Sequence, residues 1–147
     1  MLIVADKTEL FAAKTVPCDL GDCKNADMTA FSDEKAELFG IKLKSGETVG
    51  VLAIKRDESN HTARADVAIS EEFRGKGYAS DALSQKVYEL LQNGVNRVYA
   101  LHSVKNPAAG GVLRRIGMSY EGMGREVFYT PSGYHDAHFY GILKKDI

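Results

Sequence analysis

Apolar and polar residues follow clear periods from residue 38 onward, and these periods predict most of the secondary structure. Phe39–Lys44 alternates as a half-buried strand does, and a second apolar run over Thr48–Ile54 follows the turn Ser45–Glu47. Together the two runs predict a β-hairpin. A third strand is predicted over Arg64–Ile69 and a later, short strand over Arg97–Leu101.

Two segments have the spacing of amphipathic helices. The first helix places six apolar residues on one face and stops at Gly94, a residue type suited to the position just after a helix. The second helix begins at Asn106 and Pro107, which suit the N-cap and first helical positions, and stops at Gly117. The apolar face of the first helix consists of Ala79, Ala82, Leu83, Val87, Leu90 and Leu91.

The residues before 38 are harder to assign. Leu10–Ala13 fits a strand or a helix, Pro17–Ala26 has the composition of a loop, and Thr29–Leu38 is predicted as a short helix. Further strands are predicted over Met118–Gly122 and Ala137–Leu143. The order β-β-β-α-β-α-β-β predicts an α+β fold with a mainly antiparallel sheet and helices on its faces.

The composition is that of a soluble globular protein, with 44% hydrophobic and 27% charged residues, and one domain over residues 1–147 is expected. The apolar start Met1–Ala5 is too short for a signal peptide and charged residues follow it, so we expect a cytoplasmic protein with no membrane span. Cys18 and Cys23 match no common metal or redox spacing, which predicts free thiols and no metal site.

A formal net charge of −1 argues against a nucleic-acid partner. The charges are unevenly spread, because residues 74–147 hold ten Lys and Arg against six Asp and Glu, whereas residues 1–73 hold nine against fourteen. The positive second half favours an anionic ligand, although chance scatter of surface charges explains the difference equally well.

The most informative segment is Arg74–Ala79, between the third predicted strand and the first predicted helix. A glycine-bearing turn at a helix start points several backbone N–H groups at one spot, where the helix dipole also favours a phosphate. Gly75 and Gly77 allow positive φ angles and close approach of the anion. An ordinary glycine turn between a strand and a helix is the alternative.

The spacing of this segment matches neither a Walker P-loop nor a dinucleotide fingerprint, whose third glycine is replaced here by Ser80. It fits R-x-x-G-x-A, and it resembles the pyrophosphate-binding loop of the GNAT superfamily, the acetyl-CoA-dependent N-acetyltransferases. Asn106–Met118 resembles the next signature of that family. Three segments resemble its ribosomal-protein N-terminal acetyltransferase (RimJ/RimL-like) branch: Tyr120–Gly122, Gly133–Asp136 and Tyr140–Leu143.

The resemblance implies a GNAT-like fold, whose mixed sheet splays open between the strands at 64–69 and 97–101 and holds acetyl-CoA in the opening. The pantetheine arm is expected along the backbone of Val67, Ala68 and Ile69 and at Asn106, which is also compatible with a simple N-cap role. The diphosphate is expected at Arg74, Gly75, Lys76, Gly77, Tyr78 and Ala79. Charge-assisted contacts from Arg74 and Lys76 are part of this prediction, although a solvated cationic surface also accounts for these two residues.

Acetyl transfer from a thioester to an amine needs a base, a donor for the oxyanion and a proton for the thiolate. Asp66 is the candidate base, because it is the carboxylate nearest the expected reaction centre, and a backbone N–H at Ala68 or Ile69 is the candidate oxyanion donor. His135 is a second candidate base, although a histidine in a surface turn is the simpler interpretation. Tyr140 is a candidate acid, and a buried core tyrosine fits it equally well.

The predicted function is transfer of an acetyl group from acetyl-CoA to a primary amine, either a protein N-terminus or a small amine. Two departures from the family pattern leave an alternative open: Ala109 stands where the branch usually has serine, and Leu113 where some members have a catalytic tyrosine. A module that binds or senses acyl-CoA without turnover fits these departures, and an unrelated nucleotide-phosphate binder is a third interpretation. Homodimers are frequent in the family, so a homodimer is a further expectation.

Overall fold

The computed structural model describes residues 5–20 and 28–147, which form a seven-stranded mixed sheet and two α-helices. The sheet order is β1-β2-β3-β4-β5-β7-β6, and the predicted α+β class with a mainly antiparallel sheet is confirmed. The strands are β1 (Thr8–Ala13), β2 (Glu37–Leu43), β3 (Thr48–Asp57), β4 (Thr62–Ile69), β5 (Arg97–Ser103), β6 (Ser119–Thr130) and β7 (Gly133–Leu143), and the helices are α1 (Tyr78–Gln92) and α2 (Pro107–Arg115).

The centre of the sheet is open at one end. Strands β4 and β5 are parallel and pair over three residues only, Thr62–Arg64 with Arg97–Tyr99. Beyond this ladder β4 continues along β3 as far as Ile69, and β5 continues along β7 as far as Ser103. The remaining halves of β4 and β5 therefore diverge, as the resemblance predicted.

The two faces of the sheet are covered differently. Both α1 and α2 belong to one large core, in which Leu83, Leu90 and Ile116 are almost completely buried. Burial of one such aliphatic side chain contributes about 1.5–3 kcal/mol. A smaller core on the other face joins Phe31, in a short 3-10 helix, to Val51 of β3. No helix within the described ranges is long and apolar enough to cross a membrane.

Two assignments before residue 38 are now settled. Leu10–Ala13 lies in β1, because its residues pair in antiparallel register with β2. The predicted helix over Thr29–Leu38 is wrong: a 3-10 helix covers Met28–Phe31, turns follow, and β2 begins at Glu37. Leu38 is buried beside Ala53 in the sheet, so tertiary pairing overrides its helical spacing. Cys23 and most of the loop predicted over Pro17–Ala26 lie outside the described residues.

The last two strands are longer than the sequence indicated. A bulge interrupts β6 between Gly124 and Phe128, where Glu126 has a φ of 51°. The backbone N–H of Glu126 donates to Oδ1 of Asp136 at 2.8 Å, which fixes the bulge against β7. A bulge shifts the alternation of side chains. The alternation of apolar and polar residues along β6 is therefore lost at the bulge, although the strand itself continues to Thr130.

One buried carboxylate joins β1 to the start of α1. Asp81 is 3% exposed and accepts five hydrogen bonds, from the backbone N–H groups of Asp6, Lys7 and Thr8, the Thr8 hydroxyl and the Gln85 amide. Burial raises the pKa of Asp81, but the hydrogen bonds from Thr8, Lys7 and Asp6 outweigh it and hold the pKa below its ordinary value.

Replacing Asp81 by Asn is expected to lower the free energy of unfolding at pH 7 by about 1–3 kcal/mol, because an amide accepts fewer of these bonds. The native pKa is depressed, so the carboxylate stabilises the fold above its unfolded pKa of about 3.9 and this contribution disappears as the pH falls through the native pKa. Urea unfolding of wild type and variant measures both effects.

The difference in unfolding free energy between wild type and Asp81→Asn should shrink below about pH 4. Glu58→Gln removes the same charge from an exposed loop and serves as the matched control, with an expected effect within about 0.5 kcal/mol. A difference that stays constant down to pH 2 would rule out the ionised carboxylate as the cause.

Candidate active site

The divergence of β4 and β5 opens a cavity of about 690 Å³. Its walls are the free half of β4, the loop before α1, the first turn of α1, the end of β5 and one side of α2. Phe31 and Phe128 add aromatic rings from the opposite face of the sheet and from the β6–β7 hairpin. The cavity is therefore assembled from segments spread over most of the chain.

The loop at one end of the cavity has the geometry expected of an anion site. Gly75 and Gly77 have φ angles of +78° and +83°, in the left-handed region that glycine adopts without strain. Gly77 is the N-cap of α1, and the first intrahelical bond described there runs from Asp81 N–H to Gly77 O. The N–H groups of Tyr78, Ala79 and Ser80 have no carbonyl one turn earlier to bond, so they can serve a ligand.

Arg74 and Lys76, which were predicted to contact the diphosphate, have other partners in the structure. The Arg74 guanidinium donates to the backbone oxygens of Ile69 at 2.9 Å and Leu20 at 3.1 Å, so it supports the loop. The Lys76 ammonium lies 5.7 Å from the centre of the Phe73 ring, and this residue does not line the cavity. A lysine that the sequence did not reveal, Lys7, donates to the backbone oxygen of Lys76 at 3.3 Å.

Most predicted cofactor residues line the cavity: Val67, Ala68, Ile69, Arg74, Gly75, Gly77, Tyr78, Ala79 and Asn106. Asn106 is the N-cap residue of α2, but its side chain makes no capping hydrogen bond, which leaves the amide available to the cavity. The structure thus brings these residues together around one space, and their contacts with a cofactor stay predictions.

Asp66 lines the cavity, as the candidate base requires, but a guanidinium is paired with it. Nε of Arg64 lies 3.0 Å from Oδ2, and Nη2 donates to Oδ1 at 3.2 Å. The Asp66 carboxylate is therefore joined to the Arg64 guanidinium by an ion pair and one hydrogen bond. Asp66 thus lies at the cavity with a cationic partner already beside it.

Tyr140 is a buried core residue, which was the alternative to its role as catalytic acid. It is 4% exposed, is absent from the cavity wall, and accepts a hydrogen bond from Arg114 Nη1 at 2.9 Å. Its ring stacks on His102, with centroids 5.7 Å apart. A direct proton transfer from Tyr140 to a thiolate in the cavity therefore lacks support from its location.

His135 is buried, so the surface-turn interpretation is wrong. Its Nδ1 lies 3.2 Å from the hydroxyl of Ser103, which lines the cavity. Its Nε2 lies 2.8 Å from the hydroxyl of Ser132 and 3.4 Å from that of Thr130. His135 itself does not reach the cavity wall, so any action on a ligand passes through Ser103.

The sequence analysis overlooked the last two residues of β5, His102 and Ser103, both of which line the cavity. The available signal was their place at the carboxyl end of a parallel strand, where ligands bind in open α/β sheets. Nδ1 of His102 lies 2.8 Å from Ser103 O, so this nitrogen carries the proton, and Nε2 has no hydrogen-bond partner among the described residues.

Burial lowers the pKa of His102 below its ordinary value, and the nearby His138 and Arg114 act in the same direction, whereas the hydrogen bond to Ser103 O opposes them. The imidazole is therefore neutral at pH 7. A Cβ added to Gly110 would lie 3.1 Å from Nε2 of His102 and 3.1 Å from the Tyr140 hydroxyl. Nε2 of His102 thus faces α2.

Sequence comparison with known proteins matches residues 6–119 to the acetyltransferase (GNAT) domain. A putative ribosomal N-acetyltransferase, YdaF of Bacillus subtilis (strain 168), is 31% identical over 116 residues, which cover 76% of this chain. The chain spans 63% of the length of that relative.

Structure comparison finds the same fold in solved acetyltransferases. A probable acetyltransferase has a TM-score of 0.72 and 26% identity, with 81% of this chain and 67% of that one covered. RimL, a ribosomal L7/L12 alpha-N-protein acetyltransferase in complex with coenzyme A, has a TM-score of 0.77 and 20% identity, with 97% of each chain covered. Because the family match extends over most of its length, this chain belongs to the GNAT acetyltransferase family.

Proposed function

We propose that the chain is an N-acetyltransferase that binds acetyl-CoA in the cavity between β4 and β5 and transfers the acetyl group to a primary amine. The observation that carries the proposal is the shared cavity: the helix N-terminus at Gly77 and the edge of β4 beyond its pairing with β5 face the same space. The first suits a diphosphate, and the second suits the amide groups of pantetheine.

The acceptor we favour is a protein N-terminus. The sequence resemblance to the ribosomal-protein branch and the name of the 31% identical relative support it. A small amine, such as a polyamine, is the competing acceptor. The opposite face of the cavity, bordered by Phe31 and Phe128, is where either amine would approach the thioester.

An acyl-CoA sensor without turnover is the second candidate function. Ala109 and Leu113 line the cavity and bring no hydroxyl to it, which favours a sensor. Against it, Asp66, His102 and Ser103 line the same cavity and supply polar groups on β4 and β5. Turnover is therefore compatible with the site, and holding both substrates together would itself accelerate transfer.

Replacing Gly77 by Glu is expected to weaken coenzyme A binding at least about 100-fold, or about 3 kcal/mol. A side chain at φ +83° strains the loop, and a carboxylate beside the helix N-terminus repels the diphosphate. Calorimetric titration of the folded variant with coenzyme A measures the loss.

Gly94→Glu is the matched control, because Gly94 also has a positive φ, of 100°, at the other end of α1 and gains the same charge. It should bind coenzyme A as the wild type does. Normal titration of folded Gly77→Glu, or equal weakening by both variants, would place the diphosphate elsewhere.

With acetyl-CoA and a panel of amines, release of free thiol should depend on the amine and should be fastest for peptides with a free N-terminus. N-terminally blocked peptides and a polyamine are the comparison substrates. Binding of acetyl-CoA with no thiol release from any amine would favour the sensor, and faster release with the polyamine would replace the favoured acceptor.

A further inference from the structure

A hydrogen-bonded chain leads from the cavity to the protein surface through the β6–β7 hairpin. Ser103, 3% exposed, lines the cavity, and its hydroxyl lies 3.2 Å from Nδ1 of His135. His135, 6% exposed, continues the chain through Nε2 to the hydroxyl of Ser132 at 2.8 Å. Ser132 is exposed, so the chain ends at solvent.

We propose that Ser103, His135 and Ser132 form a proton relay that takes the proton from an ammonium substrate in the cavity and delivers it to solvent. The inference rests on the proposed acetyl transfer. It assigns to Ser103 the contact with the substrate and to His135 a positioning and proton-accepting role behind it.

The relay requires one direction for each hydrogen bond in the chain. The backbone N–H of Lys105 donates to Ser103 Oγ at 3.1 Å and occupies one lone pair of this oxygen; the relay has the Ser103 hydroxyl donate to Nδ1 of His135. In the relay Nε2 of His135 carries the ring proton and donates to Ser132 Oγ, 2.8 Å away. The imidazole in this tautomer accepts at Nδ1.

The proton transfer balances without a further reagent. An N–H bond of the ammonium breaks and an O–H bond forms on Ser103 Oγ, while the original Ser103 proton moves to Nδ1 of His135. The imidazolium loses its Nε2 proton to Ser132 Oγ, and the Ser132 proton passes to water. The amine is left with a lone pair for attack on the thioester, and exchange with solvent after product release restores the starting tautomer.

Two other polar groups in the cavity are less suited to this task. The Asp66 carboxylate is held by Arg64 at two points. Nε2 of His102 is enclosed beside Gly110, and its Nδ1 is bonded to Ser103 O. The Ser103 hydroxyl is the group that joins the cavity wall to a buried imidazole and then to an exposed residue.

Steady-state acetyl transfer to an alkylamine tests the relay with Ser103→Ala, His135→Gln and the hydroxyl-retaining Ser103→Thr. At pH 7 the first two variants should lose about 10- to 100-fold in kcat, within the range of general acid–base catalysis, and Ser103→Thr should keep most of the rate. The loss should shrink as the pH approaches the pKa of the amine, because unprotonated amine then arrives without help. Coenzyme A affinity should stay within about twofold in all three.

A loss that is equal at every pH would show a structural role and overturn the relay, as would a Ser103→Ala variant with wild-type kcat. ¹⁵N NMR of the ring of His135 gives an independent readout, since a proton on Nδ1 instead of Nε2 would reverse the chain and refute it. A wild type that binds coenzyme A but acetylates no amine would remove the proposed function and the relay together, which distinguishes that failure from failure of the relay alone.

Discussion

The loss of pairing between β4 and β5 after three residue pairs is the constraint on which the site depends. A parallel pair needs a crossover, and here α1 supplies it. Backbone N–H and C=O groups at the diverging ends cannot be buried without partners, because each unpaired buried group is costly. The opening therefore stays accessible to a polar, extended ligand, and the loop before α1 lies at its end.

The loop itself is held by contacts remote in sequence. Asp81 binds the backbone of Asp6, Lys7 and Thr8, so the first turn of α1 is attached to the edge strand β1. Arg74 binds Ile69 and Leu20 through backbone oxygens. These contacts fix the loop before any ligand arrives, so less conformational entropy is lost on binding.

The loop before α1 and α1 itself could be predicted, because their signals lie in adjacent residues of the sequence. The glycine turn at Gly75 and Gly77 and the period of α1 are properties of adjacent residues, and the structure has both where the sequence placed them. The helix predicted over residues 29–38 failed because burial of Leu38 in the sheet depends on strands distant in sequence. The long β6 was missed because the bulge at Glu126 interrupts its alternation.

The candidate site was harder to predict than the fold, because it too depends on contacts between residues that are distant in sequence. The neighbours of Asp66 and Tyr140 decide what these residues can do, and Arg64 and Arg114 are the neighbours concerned. The chain from Ser103 to His135 joins residues 32 positions apart, and only the register of β5 with β7 brings them together. Residue type and spacing indicate candidates, whereas pairing and burial select among them.

The two consecutive polar residues at the end of β5 serve opposite faces of the sheet. Successive side chains of a strand point to opposite sides, so His102 stacks on Tyr140 in the core under α2 whereas Ser103 contacts His135 in the hairpin. Acetyl transfer takes a proton from nitrogen and delivers one to sulfur. In the proposed relay Ser103 meets the first need, whereas His102, whose one ring proton is held on Nδ1 by Ser103 O, has none to give to sulfur.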